Sequence, residues 1–313
     1  MDISDRLDIT AVEDIEPVLE LTPELVQKRR SQGRIIFDRF IRNRVAIIGA
    51  LALILLCLLC FLGPLVWRTD PNAISVTNVS STFSPPSLQH PFGTDDVGRD
   101  EFARVMAGGR VSLLIGLTSM LMSIVFGIGI GAFAGYYGGI VDNLLMRFTD
   151  VVLAVPLYLL LFVLSASFTD HTPKSVIILI AVLTWTYAAR LVRGEFLALK
   201  EREFVLSART IGARNLRMMV RHILPNAAGP IIVNATLLIG SNIILESVMS
   251  YFGFGIQPPD SSWGSLISDG QGFFDVGPWL VLAPGLLIFL TVLSFNLVGD
   301  GLRDALDPYM TER

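Results

Sequence analysis

The chain has 313 residues, of which 52% are hydrophobic and only 17% charged, with a mean hydropathy of +0.61. That balance is too apolar for an ordinary soluble protein of this length, so a membrane protein is the starting expectation. The formal net charge of −4 conceals a segregated pattern, with acids near the N-terminus and bases clustered around Arg30 and Arg214.

Met1 to about Glu24 is acidic and short of large apolar clusters, as expected of a mobile cytosolic tail. Lys28 to Arg44 turns basic. Val45 to Trp67, VAIIGALALILLCLLCFLGPLVW, carries no charge and is long enough to cross roughly 30 Å of hydrocarbon. Cys57 and Cys60 read C-x-x-C inside this run, where no second ligand pair accompanies them, so they are expected to be apolar packing residues. The apolar run follows a long charged segment and lacks a small-residue cleavage pattern, which predicts an uncleaved first span.

Further spans are predicted at Val111 to Gly135, Val151 to Phe168, Val176 to about Val192, Ala227 to Met249 and Trp279 to Val298. The result is an all-α, polytopic membrane protein with six transmembrane helices. With the N-terminus inside, the outer connections hold only Arg68, Arg99, Arg104, Arg110 and Lys174, and the remaining bases fall on inner segments. The bias places both termini in the cytosol. The outer stretch Tyr251 to Pro278 is rich in Gly, Pro and aromatics, which suits either re-entrant structure or a surface loop.

The usual catalytic patterns are missing. No lysine lies in a G-x-x-x-x-G-K-[ST] phosphate loop, and His90, His171 and His222 sit in separate segments, which argues against a zinc hydrolase. Any energy source is therefore expected on another chain. Gly127, Gly131 and Gly135 recur at four-residue steps along one helical face, the device by which helices approach closely in lipid; plain packing is expected, a sliding contact the alternative. In the fifth span Asn234, Ser241 and Asn242 share about a third of the helix circumference, and Glu246 lies near its outer end. These four are candidates for a translocation path, with interhelical hydrogen bonding, or an interfacial carboxylate for Glu246, as the alternative. Near Asp95, Asp96, Asp100 and Glu101, Thr94 or Asp95 is expected to cap a short helix starting between Val97 and Arg99, leaving solvated acids at its N-terminus; a metal site is the alternative.

One segment stands apart. Glu201 to Ala227, EREFVLSARTIGARNLRMMVRHILPNA, places five arginines among two helical sets of apolar residues, Phe204, Ala208 and Ile211, then Leu216, Met219, Val220 and Ile223. Two short amphipathic helices meeting near Gly212 and ended by Pro225 are predicted. The tether to spans on both sides leaves little reach for nucleic acid. A lipid-surface helix would explain the arginines but not the glycine and the Leu-Pro pair. Docking to a partner protein explains both.

These residues resemble the cytoplasmic EAA loop of binding-protein-dependent ABC importers, in the form found in C-type permeases for oligopeptides and dipeptides. HPFGTDDVGRDEFARV, RVSLLIGL, GYYGG, SYFGFGIQPPDSSWGSLI and NLVGDGLRDALDP are similar to that family too, so the likeness runs from about Arg34 to Pro308. The resemblance implies a type I importer permease fold, with a cytosolic tail at 1–33 and an N-terminal region with the first helix at 34–85. An extracytoplasmic connection follows at 86–110, then a permease core at 111–302 containing a coupling loop at 200–226, and a cytosolic C-terminus at 303–313. It implies residence in the cytoplasmic membrane of a prokaryote, in a complex with a homologous permease subunit, two ATPases and an extracytoplasmic binding protein. ATP and magnesium then belong to the ATPases, and this chain holds no cofactor and no catalytic site.

Carried over by position, Gly212 matches the loop glycine, Ala208 its second alanine, and Leu224 with Pro225 its closing pair; Arg209 lies within the loop. Leu206 and Ser207 stand where the general pattern has Glu and Ala, with Glu203 a nearby carboxylate, and His222 replaces an aliphatic residue. Gly212 is expected to permit either close helix contact or a positive φ. Nickel or another small solute is the alternative cargo, and an ATPase-independent channel or secondary transporter the alternative class.

Overall fold

The computed structural model describes residues 32–74, 82–168 and 171–307, and among them every regular element is helical. The acidic tail at residues 1–31 and the chain end at 308–313 lie outside the described residues. Helix α1, Gln32–Arg42, is separated from α2, Arg44–Val66, by one residue. That residue is Asn43, whose side chain accepts from the amides of Val45 and Ala46 at 3.1 and 3.2 Å and so supplies the N-cap. Its Nδ2 donates to Asp304 at 3.1 Å, tying this corner to the far end of the chain.

Pro64 inside α2 leaves the carbonyl of Cys60 without its helical donor. Arg110 fills the gap, its Nε donating to that carbonyl at 2.7 Å. Arg110 belongs to α3, Glu101–Tyr137, whose 37 residues extend roughly 55 Å. The helix therefore begins ten residues before the expected span at Val111, because Asp100 caps it by accepting from Ala103 N at 2.7 Å. The cap is neither Thr94 nor Asp95, and no separate short helix precedes it.

Gly138, at φ +65°, turns the chain into α4, Gly139–Ala154, and α5, Leu157–Ser165. The straight span expected at Val151 to Phe168 is replaced by this pair, bent by 83°. Pro156 is the cause: it forces Val155 to extended angles, φ −88° and ψ 133°, so helix cannot continue through it. Helix α6, Pro173–Leu199, follows, then α7, Glu203–Thr210, and α8, Asn215–Arg217.

Pro225 does not end a helix. From α8 the chain passes through a π-helical turn, Met218–Ile223, into α9, Leu224–Tyr251, without a break. Pro225 sits in the first turn of α9, and the wider π register, in which Leu224 N–H bonds back to Met219 O, accommodates its missing amide hydrogen. The stretch after Tyr251 folds into α10, Trp263–Gly270, and a 3₁₀ turn at Gln271–Phe273, before α11, Trp279–Leu306, closes the fold. It is a packed helical hairpin and not a surface loop, for Trp263 is fully buried and its Nε1 donates to Val105 O at 3.0 Å.

Five helices are long and apolar enough to cross a membrane, and the bent α4–α5 pair makes a sixth if counted as one broken span. Helix α3 packs along α6 and α9, α11 lies between α2 and α9, and α10 wedges among α3, α9 and α11. The small residues set the closest approach. A Cβ at Gly127 would stand 2.5 Å from the Ala188 side chain, one at Gly131 would strike the Ala189 carbonyl, and one at Gly135 would stand 2.7 Å from the Phe196 side chain. The three glycines therefore face α6 along one seam, as small residues do where helices meet in lipid.

Candidate functional site

Three assemblies carry the residues of interest. The first is the segment from α7 to the π turn. Helix α7 ends in a glycine cap: Gly212 adopts φ +83°, its N–H reaches Arg209 O at 3.0 Å, and the next amide, Ala213, reaches Ala208 O at 3.1 Å. A Cβ at Gly212 would meet nothing within 4 Å. Of the two expected uses of this glycine, the structure supports the positive φ and not close packing.

The buried face of the segment differs from the expected one. Val205 and Ala208 pack inward with Met218, Met219 and Ile223 against Val192, Phe196 and Ala227. Phe204, Leu206, Leu216 and Val220 are exposed, and Ile211 is 85% exposed. Phe204 and Ile211 thus share a helical step with Ala208 in sequence yet point the other way, because the side of α7 that packs on the π segment is the Val205–Ala208 side. Glu203, Arg209 and Pro225 are exposed, Leu224 is half-buried, and Ala208 serves the protein's own core. Tyr136 at the end of α3 braces the segment from the side, its hydroxyl donating to Asn215 Oδ1 at 3.0 Å. The outcome is an apolar patch, interleaved with arginines, that the chain itself leaves uncovered.

The second assembly is a cavity of about 400 Å³ between α5, α6 and α9. Its polar lining is Tyr158, Thr184, Tyr187, Asn234 and Ser241; leucines and one isoleucine complete it, and no lining residue bears a formal charge at neutral pH. The bend at Pro156 brings the first turn of α5 to its edge. Non-helical backbone at membrane depth is tolerated where it is buried in protein or lines a wet cavity. The tyrosines and Thr184 were not legible as a site, since Tyr158 lies singly in an apolar run, Thr184 and Tyr187 lie on a different helix, and it takes the α4–α5 bend to bring Tyr158 to the same cavity.

The four candidate path residues divide. Asn234 and Ser241 line the cavity, whereas Asn242 and Glu246 are completely buried on the α3 side of α9. Asn242 Nδ2 donates to Ser119 Oγ at 2.9 Å, and Glu246 accepts from Ser112 and Ser250. The reading of Glu246 as an interfacial carboxylate is overturned, because α3 and the hairpin after Tyr251 cover that part of α9. A neighbouring link, Ser123 to Thr184 at 2.7 Å, joins α3 to α6.

The third assembly is the segment that leads into α3. Asp95 accepts from the amides of Val97 and Arg99 and from the guanidinium groups of Arg99, at 2.6 Å, and Arg104, at 3.0 Å. Arg104 also reaches Asp269 of α10 at 2.9 Å, and His90 Nδ1 stands 2.7 Å from the capping Asp100. Asp95, Asp100 and Glu101 are buried, not solvated as expected, so this cluster fastens the residue 83–100 segment to α3 and α10.

With this geometry in view, two family models match the chain. Residues 127–312 match the binding-protein-dependent transport system inner membrane component, and residues 31–86 the N-terminal transmembrane domain of oligopeptide transport permease C. The oligopeptide transport system permease protein OppC of Bacillus subtilis is 39% identical over 86% of this chain and 87% of its own length. The dipeptide transport system permease protein DppC of Alkalihalophilus pseudofirmus is 39% identical over 90% and 91%. Among solved structures, the inward-facing MetNI methionine ABC transporter aligns with a TM-score of 0.51 at 17% identity, covering 65% of this chain and 96% of that chain.

The chain belongs to the family of binding-protein-dependent transport system inner membrane components. Within it, the chain is a multi-span permease subunit with the fold of an ABC importer, related over most of its length to oligopeptide and dipeptide permeases.

Proposed function

We propose that this chain is the C-type permease subunit of an ATP-driven importer of oligopeptides or dipeptides in the cytoplasmic membrane of a prokaryote. It pairs with a homologous permease subunit, rests on two ATPases that hold ATP and magnesium, and receives cargo from an extracytoplasmic binding protein. The bias of Lys and Arg toward inner segments supports cytosolic termini and a cytosolic position for residues 200–226. The cargo class follows from the names of the relatives.

The observation that carries this reading is mechanical. An exposed apolar patch sits at one end of a helix that runs unbroken from Asn215 to Tyr251 and forms a wall of the cavity. A partner seated on Phe204, Ile211, Leu216 and Val220, with Glu203 and Arg209 at its rim, gains a lever on the cavity. The closing turn at Gly212, Leu224 and Pro225 shapes that contact. Closure of the ATPases then moves α9 as a rod and switches the cavity between inner and outer access. Asn234 and Ser241, with Tyr158 and Tyr187, offer a passing peptide uncharged hydrogen-bonding groups, which suit its amides whatever its side chains.

The test is affinity purification of the tagged chain in mild detergent, followed by identification of copurifying chains and a peptide-stimulated ATP hydrolysis assay. A second permease and ATPases are expected. Recovery of the chain without an ATPase, under conditions that keep a known importer intact, would move the assignment to a self-sufficient channel or secondary transporter. Stimulation by nickel in place of peptide would reassign the cargo alone.

A further inference from the structure

The buried carboxylate of Glu246 has no part in the cavity, yet its surroundings are highly ordered. Its Oε2 accepts from Ser112 Oγ at 2.9 Å and its Oε1 from Ser250 Oγ at 2.7 Å. Each serine oxygen in turn accepts a backbone amide from the outer hairpin: Ser112 from Trp263 N at 3.2 Å, and Ser250 from Ile256 N at 3.0 Å. A hydroxyl has a single proton, so a serine that accepts from an amide still has that proton to donate. Both protons converge on one carboxylate. An apolar side chain at 246 would cost nothing in desolvation but would leave both without an acceptor.

The two arms grip opposite ends of one stretch, residues 256–263, whose middle, Gln257 to Asp260, is exposed. Backbone contact adds to the grip. A Cβ on Gly264 would stand 2.5 Å from Ser247 Cα, and one on Gly255 2.6 Å from Ser250 Cα. The hairpin therefore lies directly on α9, at the opposite end of the rod from the exposed patch.

We propose that Glu246 is a positioning residue that clamps residues 256–263 to α9, making the outer hairpin a rigid extension of the rod that begins at the coupling segment. Movement imposed from the cytosolic side then reaches the outer mouth without slack. The transport consequence rests on the permease reading above; the clamp itself does not.

The test uses the full chain with its copurifying partners in membranes, in a Cys57→Ser, Cys60→Ala background carrying a single reporter, Gln257→Cys or Asp260→Cys. The readout is the rate of labelling by a membrane-impermeant maleimide, measured alongside ATP hydrolysis and peptide uptake. Glu246→Gln fills the same space but has only one acceptor oxygen, so labelling is expected to rise about tenfold, with uptake lost and ATP hydrolysis kept. Ser250→Ala should accelerate labelling at 257 and spare 260, while Ser112→Ala should do the reverse. That arm-specific pattern is one that general destabilisation does not produce, and it is readable even if the Gln variant fails to assemble. Unchanged labelling in Glu246→Gln, or equal loosening of both reporters by each serine variant, overturns the clamp. Absence of copurifying ATPases with the labelling pattern intact overturns the permease reading and leaves the clamp standing.

Discussion

The two ends of α9 answer opposite requirements. At the end proposed to couple to a partner the chain leaves Phe204, Leu206, Ile211, Leu216 and Val220 uncovered. At the outer end it buries even charged groups, enclosing Glu246, Asp95 and Arg104 among hydrogen-bond partners from α3 and α10. One end is complete within the chain, and the other, on the proposed reading, is completed by a partner. The difference teaches that exposed apolar residues interleaved with arginines, not apolar exposure by itself, support the proposed docking element, and that buried polarity marks a place where segments must be held in one arrangement.

Substitutions should separate the two ends. The largest effect is expected from Trp263→Ala at the outer end, where loss of a fully buried indole and its bond to Val105 costs about 4 kcal/mol. Thermal unfolding of the purified chain in detergent reads this, and an unshifted transition would show that the hairpin is not part of the core. Arg104→Ala comes next, since it strips the buried Asp95, and the half-exposed Asp269, of a guanidinium, for about 3 kcal/mol. Proteolysis within residues 83–100 should accelerate with it; equal cleavage in the wild-type chain would mean the ion cluster fastens nothing.

At the coupling end the expected effects on the isolated chain are small. Gly212→Ala forces a side chain into φ +83° with open space around it, so strain alone costs about 1 kcal/mol. A loss well beyond that would point to a contact that the geometry does not contain. Ile211→Ser, at an 85% exposed site, should change stability by less than about 0.5 kcal/mol while reducing ATPase recovery in the affinity purification. Full recovery with the Ile211→Ser, Leu216→Ser double variant would break the comparison outright, because the uncovered patch would then have no partner to lose.

Several features of the site were readable from residue order alone and several were not. The positive φ at Gly212 was one of two readings its neighbours allowed, and the glycine seam of α3 followed from spacing. The burial phase of α7 did not, since an amphipathic helix with apolar residues on two faces has no unique inner side until something packs on it. Phe204 and Val205 are adjacent and both apolar, and only the position of Phe196 and Met218 makes Val205 the inner one. Pro225 ends no helix for a related reason: the π-helical register before it accommodates its missing amide hydrogen, and residue order alone does not reveal that register.

By itself the sequence determined the membrane class, the approximate positions of five of the six spans, and the bias of lysines and arginines toward one set of connections on which the proposed orientation rests. Those depend on local quantities: the length of an apolar run, the side on which lysines and arginines fall, and the spacing of glycines. Tertiary structure alone decided the placement of α5 beside α6 and α9 that forms the cavity, the separation of Asn234 and Ser241 from Asn242 and Glu246, and the joining of residues 112, 246, 250, 256 and 263 around one carboxylate. In each case neighbouring positions on a helix can face either lipid, water or protein, and which they face is set by what other segments of the chain come to rest against them.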